Sequence, residues 1–389
     1  MSTTTAISPF AEDETTFFGW RLPWWLPIPG VPRGRWAVLV AGFDYERKGV
    51  DFERIAQSRM RLLIKRNVAA QKKAKTPFSA VIDTAPRFVL FDFKSGLVRT
   101  SVATQPKGER TWKEIARFQP VSAANYSSGG HAFDTDQAGR MSITDVYEHV
   151  RMLGRTEPGS VAELSILSHG WVGGPILVNS FDGLGSGIDA RDPNDKDART
   201  DKDFIAPTMD AAALAEFRAA FASDAFAWVW GCSFTNSPRQ VLYRVLSSAK
   251  YRSTAAGKLV NTDTFRLSFP REHAELFFHV DPDFFPARGA DGEFPLTFDR
   301  TLAQVKNFFF ARLSETYCNS LAQAAQVPCF GALPGTYSDY ERNVSDPVMV
   351  VPTAKPPYAD DFTRSIRFYT TYVGARLDPE GRSYGRFDP

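Results

Sequence analysis

Val161-Ala162-Glu163-Leu164-Ser165-Ile166-Leu167-Ser168-His169-Gly170 is an apolar run of strand length that stops at a histidine and a glycine. Phe226-Ala227-Trp228-Val229-Trp230-Gly231-Cys232 repeats the pattern, ending this time in a cysteine. Runs of this kind read as buried strands emerging from a sheet. Between them Asp210 opens a predicted helix with Leu214, Phe217 and Phe221 on one stripe. After them Ser237-Pro238 starts another, with Pro in its first turn and Val241, Leu242, Val245 and Leu246 pointing inward. Strand, helix, strand, helix implies parallel strands joined by right-handed crossovers. His169 and Cys232 are then expected at the same C-terminal edge of the sheet, where open α/β folds carry their sites.

Working outward, Arg35 to Phe43 is the first core strand, and Asp51 caps a helix through about Asn67. The basic tail of that helix, Arg59 through Lys75, reads as a solvated face rather than a phosphate contact. Arg87–Phe93 and Leu97–Val102 form a predicted hairpin about Lys94-Ser95-Gly96. Ser142-Ile143-Thr144-Asp145 is a capping-box sequence ahead of Val146, Val150 and Leu153. From Tyr251 the pattern changes to strands near 258–268, an aromatic loop through Pro295, a long helix over 299–325 and a last helix over 360–373. The expected architecture is α/β, a mainly parallel central sheet flanked by helices. Three regions follow: a tail and aromatic arm over 1–34, the core over 35–250, and an accessory region over 251–389 that covers or completes the core.

The 389 residues are 43% hydrophobic, enough for a large core, and 46 basic against 44 acidic side chains leave a net charge of +2. That balance gives no reason to expect a nucleic-acid partner or an anionic membrane. Three cysteines do not make a disulfide framework, although Cys318 and Cys329 leave one bridge open. The N-terminus lacks the apolar core of a secretory signal. The aromatic stretch from Phe17 to Pro29 is interrupted by three prolines and is too short to span a bilayer. It reads as an arm packed on its own domain, or one that docks on a carrier. The expected location is cytoplasmic, or outside the cell by a route needing no classical signal.

A cysteine peptidase needs a thiolate to attack a carbonyl, an imidazole to manage protons, and N–H groups to hold the oxyanion. A strand ending in His-Gly and another ending in Gly-Cys resemble the clan CD, caspase-like cysteine peptidases, which include caspases, gingipains and separase. The resemblance covers roughly residues 35–249. It implies a caspase-like sheet, Cys232 as nucleophile, His169 as proton donor to the leaving amine, and the N–H groups of Gly170 and Cys232 as oxyanion hole. Ser168, Trp171 and Ser233 would line the substrate, a protein or peptide, with no metal or organic cofactor. Cys232 is followed by Ser233-Phe234-Thr235 rather than the Arg-Gly of caspases, so a preference for Asp at the cleavage site is not carried over.

Two other readings stand beside it. His169-Gly170-Trp171 with Gly173-Gly174 is similar to the oxyanion loop of α/β-hydrolases, which would make Ser233 the nucleophile of an esterase and recruit His273 or His279. A caspase-like chain can also serve as a binding protein or effector without turnover. The acidic and basic run from Asp189 to Asp203 has oxygen ligands at alternating spacing but lacks the Gly and closing Glu of a calcium loop, and is expected to be a solvated loop at the mouth of the site. His131 is expected at the surface and His149 as a structural helix residue.

Overall fold

The computed structural model describes residues 14–17, 20–23, 34–74, 85–102, 112–126, 138–171, 173–185, 187–233, 236–340, 344–354, 358 and 360–389. One sheet contains β1 (Trp36–Ala41), β2 (Arg87–Asp92), β3 (Leu97–Val102), β4 (Lys113–Arg117), β5 (Val161–Leu167), β6 (Phe221–Val229), β7 (Cys329–Gly331), β8 (Arg376–Leu377) and β9 (Gly385–Phe387). Its spatial order is β8-β9-β7-β6-β5-β1-β2-β3-β4. The run β7-β6-β5-β1-β2 is parallel, and the strands outside it pair antiparallel. All six residues of β1 are buried, as a parallel strand covered on both faces requires. From β1 the chain adds β2 on one side and β5, β6 and β7 on the other. The order therefore reverses between β1 and β5, and the crevice at that reversal lies beyond their C-terminal ends.

The flanking helices are α1 (Phe52–Ala74), α2 (Ile143–Thr156), α3 (Ala211–Ala220), α4 (Asn236–Ser247), α5 (Leu302–Ser314) and α6 (Tyr317–Ala325). Their starts follow their caps. Ser142 N donates to Asp145 Oδ2 at 2.7 Å, closing the expected capping box, and Asp210 Oδ1 accepts from Ala213 N at 2.8 Å. α2 packs on α3, and α3 on α6. The expected hairpin is present, with Arg87 opposite Val102 through to Asp92 opposite Leu97.

Several expectations are corrected. α1 runs to Ala74 rather than ending near Asn67, because its basic tail continues the helix. The expected long helix over 299–325 is two helices preceded by a strand. Thr297–Thr301 pairs with Thr264–Ser268, and Thr316 begins α6 by accepting from Asn319 N. The accessory region completes the core: β7, β8 and β9 all come from beyond residue 250, and one buried apolar cluster runs from Trp36 to Phe387. Cys318 and Cys329 are buried free thiols. Of the N-terminal arm, Glu14–Phe17 pairs with Trp20–Pro23 as a short hairpin; the rest, and His131, lie outside the described residues. No helix among the described residues is long and apolar enough to cross a membrane.

His149, on α2, is buried with its ring edge-on to Phe91, centroids 5.5 Å apart. Burial pushes its pKa down to about 4, below the unfolded value of about 6.5. The unfolded chain therefore binds the proton first, and stability falls as pH drops from about 6.5 toward 4, by up to about 1.4 kcal/mol per pH unit. Urea unfolding of wild type and His149→Phe over that range should show the wild type losing stability faster. Parallel curves would refute this assignment.

Candidate functional site

β5 ends at Leu167, and His169 follows at the reversal of strand order, beside the loop after β1. That loop supplies Asp44, a partner for His169 that the His-Gly and Gly-Cys motifs do not mark. Asp44 Oδ1 lies 2.9 Å from His169 Nε2. Its other oxygen accepts from Gly49 N at 2.7 Å and Val50 N at 3.0 Å, folding the loop back on itself. Burial raises the Asp44 pKa, but the bond to His169 and the two N–H donors outweigh it, so the carboxyl sits below its usual range. An ionised Asp44 can only accept, which assigns the ring proton to Nε2 and leaves the lone pair on Nδ1. Glu46 Oε2 stands 3.9 Å from Nδ1. The rings of Tyr45 and Phe52 meet the imidazole edge-on, with centroids 5.0 and 5.2 Å away.

Cys232 follows β6 on the neighbouring strand and is half-buried. A Cβ on Gly170 would come within 2.8 Å of Cys232 O and 3.2 Å of Cys232 N, and one on Gly231 within 3.1 Å of Gly170 N. The two glycines expected to flank the dyad are therefore what let the His and Cys loops touch backbone to backbone. The Cys232 N–H has no hydrogen-bond acceptor among the described residues. Burial pushes the Cys232 thiol up to about 11, so it is protonated at neutral pH, and no hydrogen bond joins it to His169. Its Sγ instead lies 3.9 Å from Ser338 O.

The remaining expected residues divide. Trp171 is 45% exposed and ends the first strand of a short hairpin, His169–Trp171 with Gly174–Ile176. Ser168 is fully buried, its hydroxyl donating to the His169 carbonyl at 2.6 Å. Ser233 is buried too: its carbonyl accepts from Gly335 N, and its Oγ has no partner among the described residues. Both serines are thus buried, and only Ser168 uses its hydroxyl, on the His169 carbonyl.

The charged run expected as a solvated loop is instead largely buried. Arg191 pairs with Asp203 and donates to the Asp195 and Asp197 carbonyls; Arg199 pairs with Asp195. Asp197 accepts from Leu177 N at 2.6 Å and Val178 N at 2.8 Å. Leu177 O in turn accepts from Phe43 N at 2.7 Å, so this knot buttresses the Asp44 loop from behind. Each buried carboxylate in it, Asp195, Asp197 and Asp203, has a donor, which is what allows such charge to be buried. No group of three or more His, Cys, Asp or Glu suited to a metal ion occurs among the described residues. Compared with known proteins, the chain matches no family model, no curated protein and no solved structure.

Proposed function

We propose that this chain is a cysteine endopeptidase with a caspase-like core, acting on protein or peptide substrates through Cys232 and His169. The observation that carries the reading is the convergence, at one sheet edge, of a cysteine whose N–H has no acceptor among the described residues and a histidine held in one tautomer by a carboxylate. The Cys232 sulfur attacks the scissile carbonyl, and the Cys232 and Gly170 N–H groups receive the developing oxyanion. The thiol proton passes to the imidazole, which delivers it to the leaving amine. Water then hydrolyses the acyl-enzyme. With the thiol protonated at rest, proton transfer accompanies substrate arrival rather than preceding it as a standing ion pair.

The serine-esterase alternative is weakened by the burial of Ser233 and by the absence, among the described residues, of any imidazole on its hydroxyl. His273 faces Arg244, with Nδ1 3.5 Å from a guanidinium nitrogen. A non-catalytic binding or effector role remains the competing outcome. The test is covalent trapping with a panel of peptidyl acyloxymethyl ketones, followed by intact mass. A single adduct that maps to Cys232, is lost in Cys232→Ala and forms slowly in His169→Ala is expected. A folded protein that forms no adduct with any member of the panel removes the peptidase reading in favour of the binding role.

A further inference from the structure

The segment Thr336–Tyr340 runs from the loop that carries the thiol to the loop that positions the imidazole. At its first end Ser338 Oγ donates to Gly231 O at 2.9 Å, and Ser338 O approaches Cys232 Sγ. Tyr384, fully buried, anchors that end with its hydroxyl 3.1 Å from Trp230 O and 3.0 Å from Ser338 Oγ. At the other end Tyr340 Oη donates to Gly49 O at 3.1 Å. Gly49 is exposed, and its N–H is one of the two that hold the Asp44 carboxylate. Between these ends Asp339 and Tyr340 pair with Val350 and Met349 in a two-residue ladder. One end is thus anchored in the core, and the other carries a hydrogen bond at the surface.

We propose that Thr336–Tyr340 is a strap over the cleft between Cys232 and His169, hinged at Ser338 and latched to Gly49 by the Tyr340 hydroxyl, and that an extended peptide reaches the thiol by releasing the latch. The identity of the ligand rests on the peptidase reading; the mechanics of the strap do not. A hydrogen bond of this kind contributes modestly, so removing the hydroxyl shifts the closed-to-open ratio by about two- to tenfold. When alkylation passes through a rapidly opening state, its rate follows that ratio.

The experiment is iodoacetamide labelling of wild type and Tyr340→Phe at pH 8, followed by intact mass and peptide mapping, with a peptide-turnover assay in parallel. The buried Cys318 and Cys329 report on the fold, since they label only if the core opens. Cys232 in Tyr340→Phe is expected to label about two- to tenfold faster than in wild type, with the other two cysteines protected. Tyr340→Leu, which removes the same hydroxyl, serves as the second variant. Equal Cys232 labelling in wild type and both variants, with the core thiols protected, overturns the strap. Faster labelling without turnover in any variant keeps the strap and removes the peptidase. Unchanged labelling with turnover that depends on Cys232 does the reverse.

Discussion

On the proposed peptidase reading, kcat of Asp44→Asn for a peptide substrate is expected to fall by about 10²–10⁴-fold, while KM changes little. The variant keeps the size of the side chain and the loop it anchors, because the amide oxygen still accepts from Gly49 and Val50, now 2.7 and 3.0 Å away. What faces His169 Nε2 is then an NH₂ donor instead of an acceptor. The ring must turn its Nε2 lone pair to that donor and carry its proton on Nδ1, which removes the acceptor the mechanism uses. Asp44→Ala makes the contrast, losing the loop anchor as well and so lowering thermal stability alongside kcat. The split between the two variants separates a positioning role from a structural one. If Asp44→Asn retains wild-type kcat, Asp44 only closes the loop, and the tautomer assignment falls with it.

Asp44 also shows where reading the sequence stops. The ends of β5 and β6 are legible because an apolar run followed by a glycine marks a buried strand leaving its sheet, and two such strands with a helix between them must run parallel. Asp44 had the same kind of signal, an acidic residue just past the first core strand. Its use became visible only when the strand order put β1 beside β5. Ser338, Tyr340 and Tyr384 carried no such mark, since Ser338 reaches Cys232, Tyr384 reaches Trp230 and Tyr340 reaches Gly49 from more than a hundred positions away, through loops whose closure no local pattern encodes. β4, written Lys-Glu-Ile-Ala-Arg, is an edge strand too polar and short to announce itself. The charged run over 189–203 misled for a physical reason. Alternating charge reads as solvated unless its partners are known, and here several lie within the run itself, as in Asp195 with Arg199 and Arg191 with Asp203. Glu163 misled in the opposite direction, standing unremarked within an apolar strand although it is buried beside a cation from α1.

That cation is Arg59, and replacing it by methionine should destabilise the protein by about 3–5 kcal/mol. Its guanidinium is almost completely buried; Nε and Nη2 donate to the two oxygens of Glu163 at 2.7 and 2.8 Å, and Nη1 to Glu380 at 2.7 and 2.8 Å. The rings of Trp228 and Trp230, stacked 4.2 Å apart, face it at 5.4 and 5.2 Å. Burial raises the Glu380 pKa, but Arg59, Arg66 and Arg382 outweigh it and bring the carboxyl down to about 2. Without Arg59, Glu380 keeps two cations and Glu163 keeps none, so the penalty falls mainly on a carboxylate 1% exposed in the middle of β5. Urea unfolding at pH 7 measures it, and the double variant Arg59→Met, Glu163→Gln should recover part of the loss by removing the stranded charge. A double variant less stable than the single one would mean that the methionine fails to fill the space above the tryptophans, and that packing rather than charge sets the cost. The network also bears on the site. Trp230 donates to Ser165 Oγ at 3.1 Å, Ser165 Oγ donates to Glu163, and Trp230 directly precedes Gly231 and Cys232. The pairing that makes Arg59 tolerable in the core therefore also ties β5 to β6 one step below the two corners that carry His169 and Cys232. Arg59→Met should for that reason slow covalent trapping of Cys232 even under conditions where most of the protein remains folded.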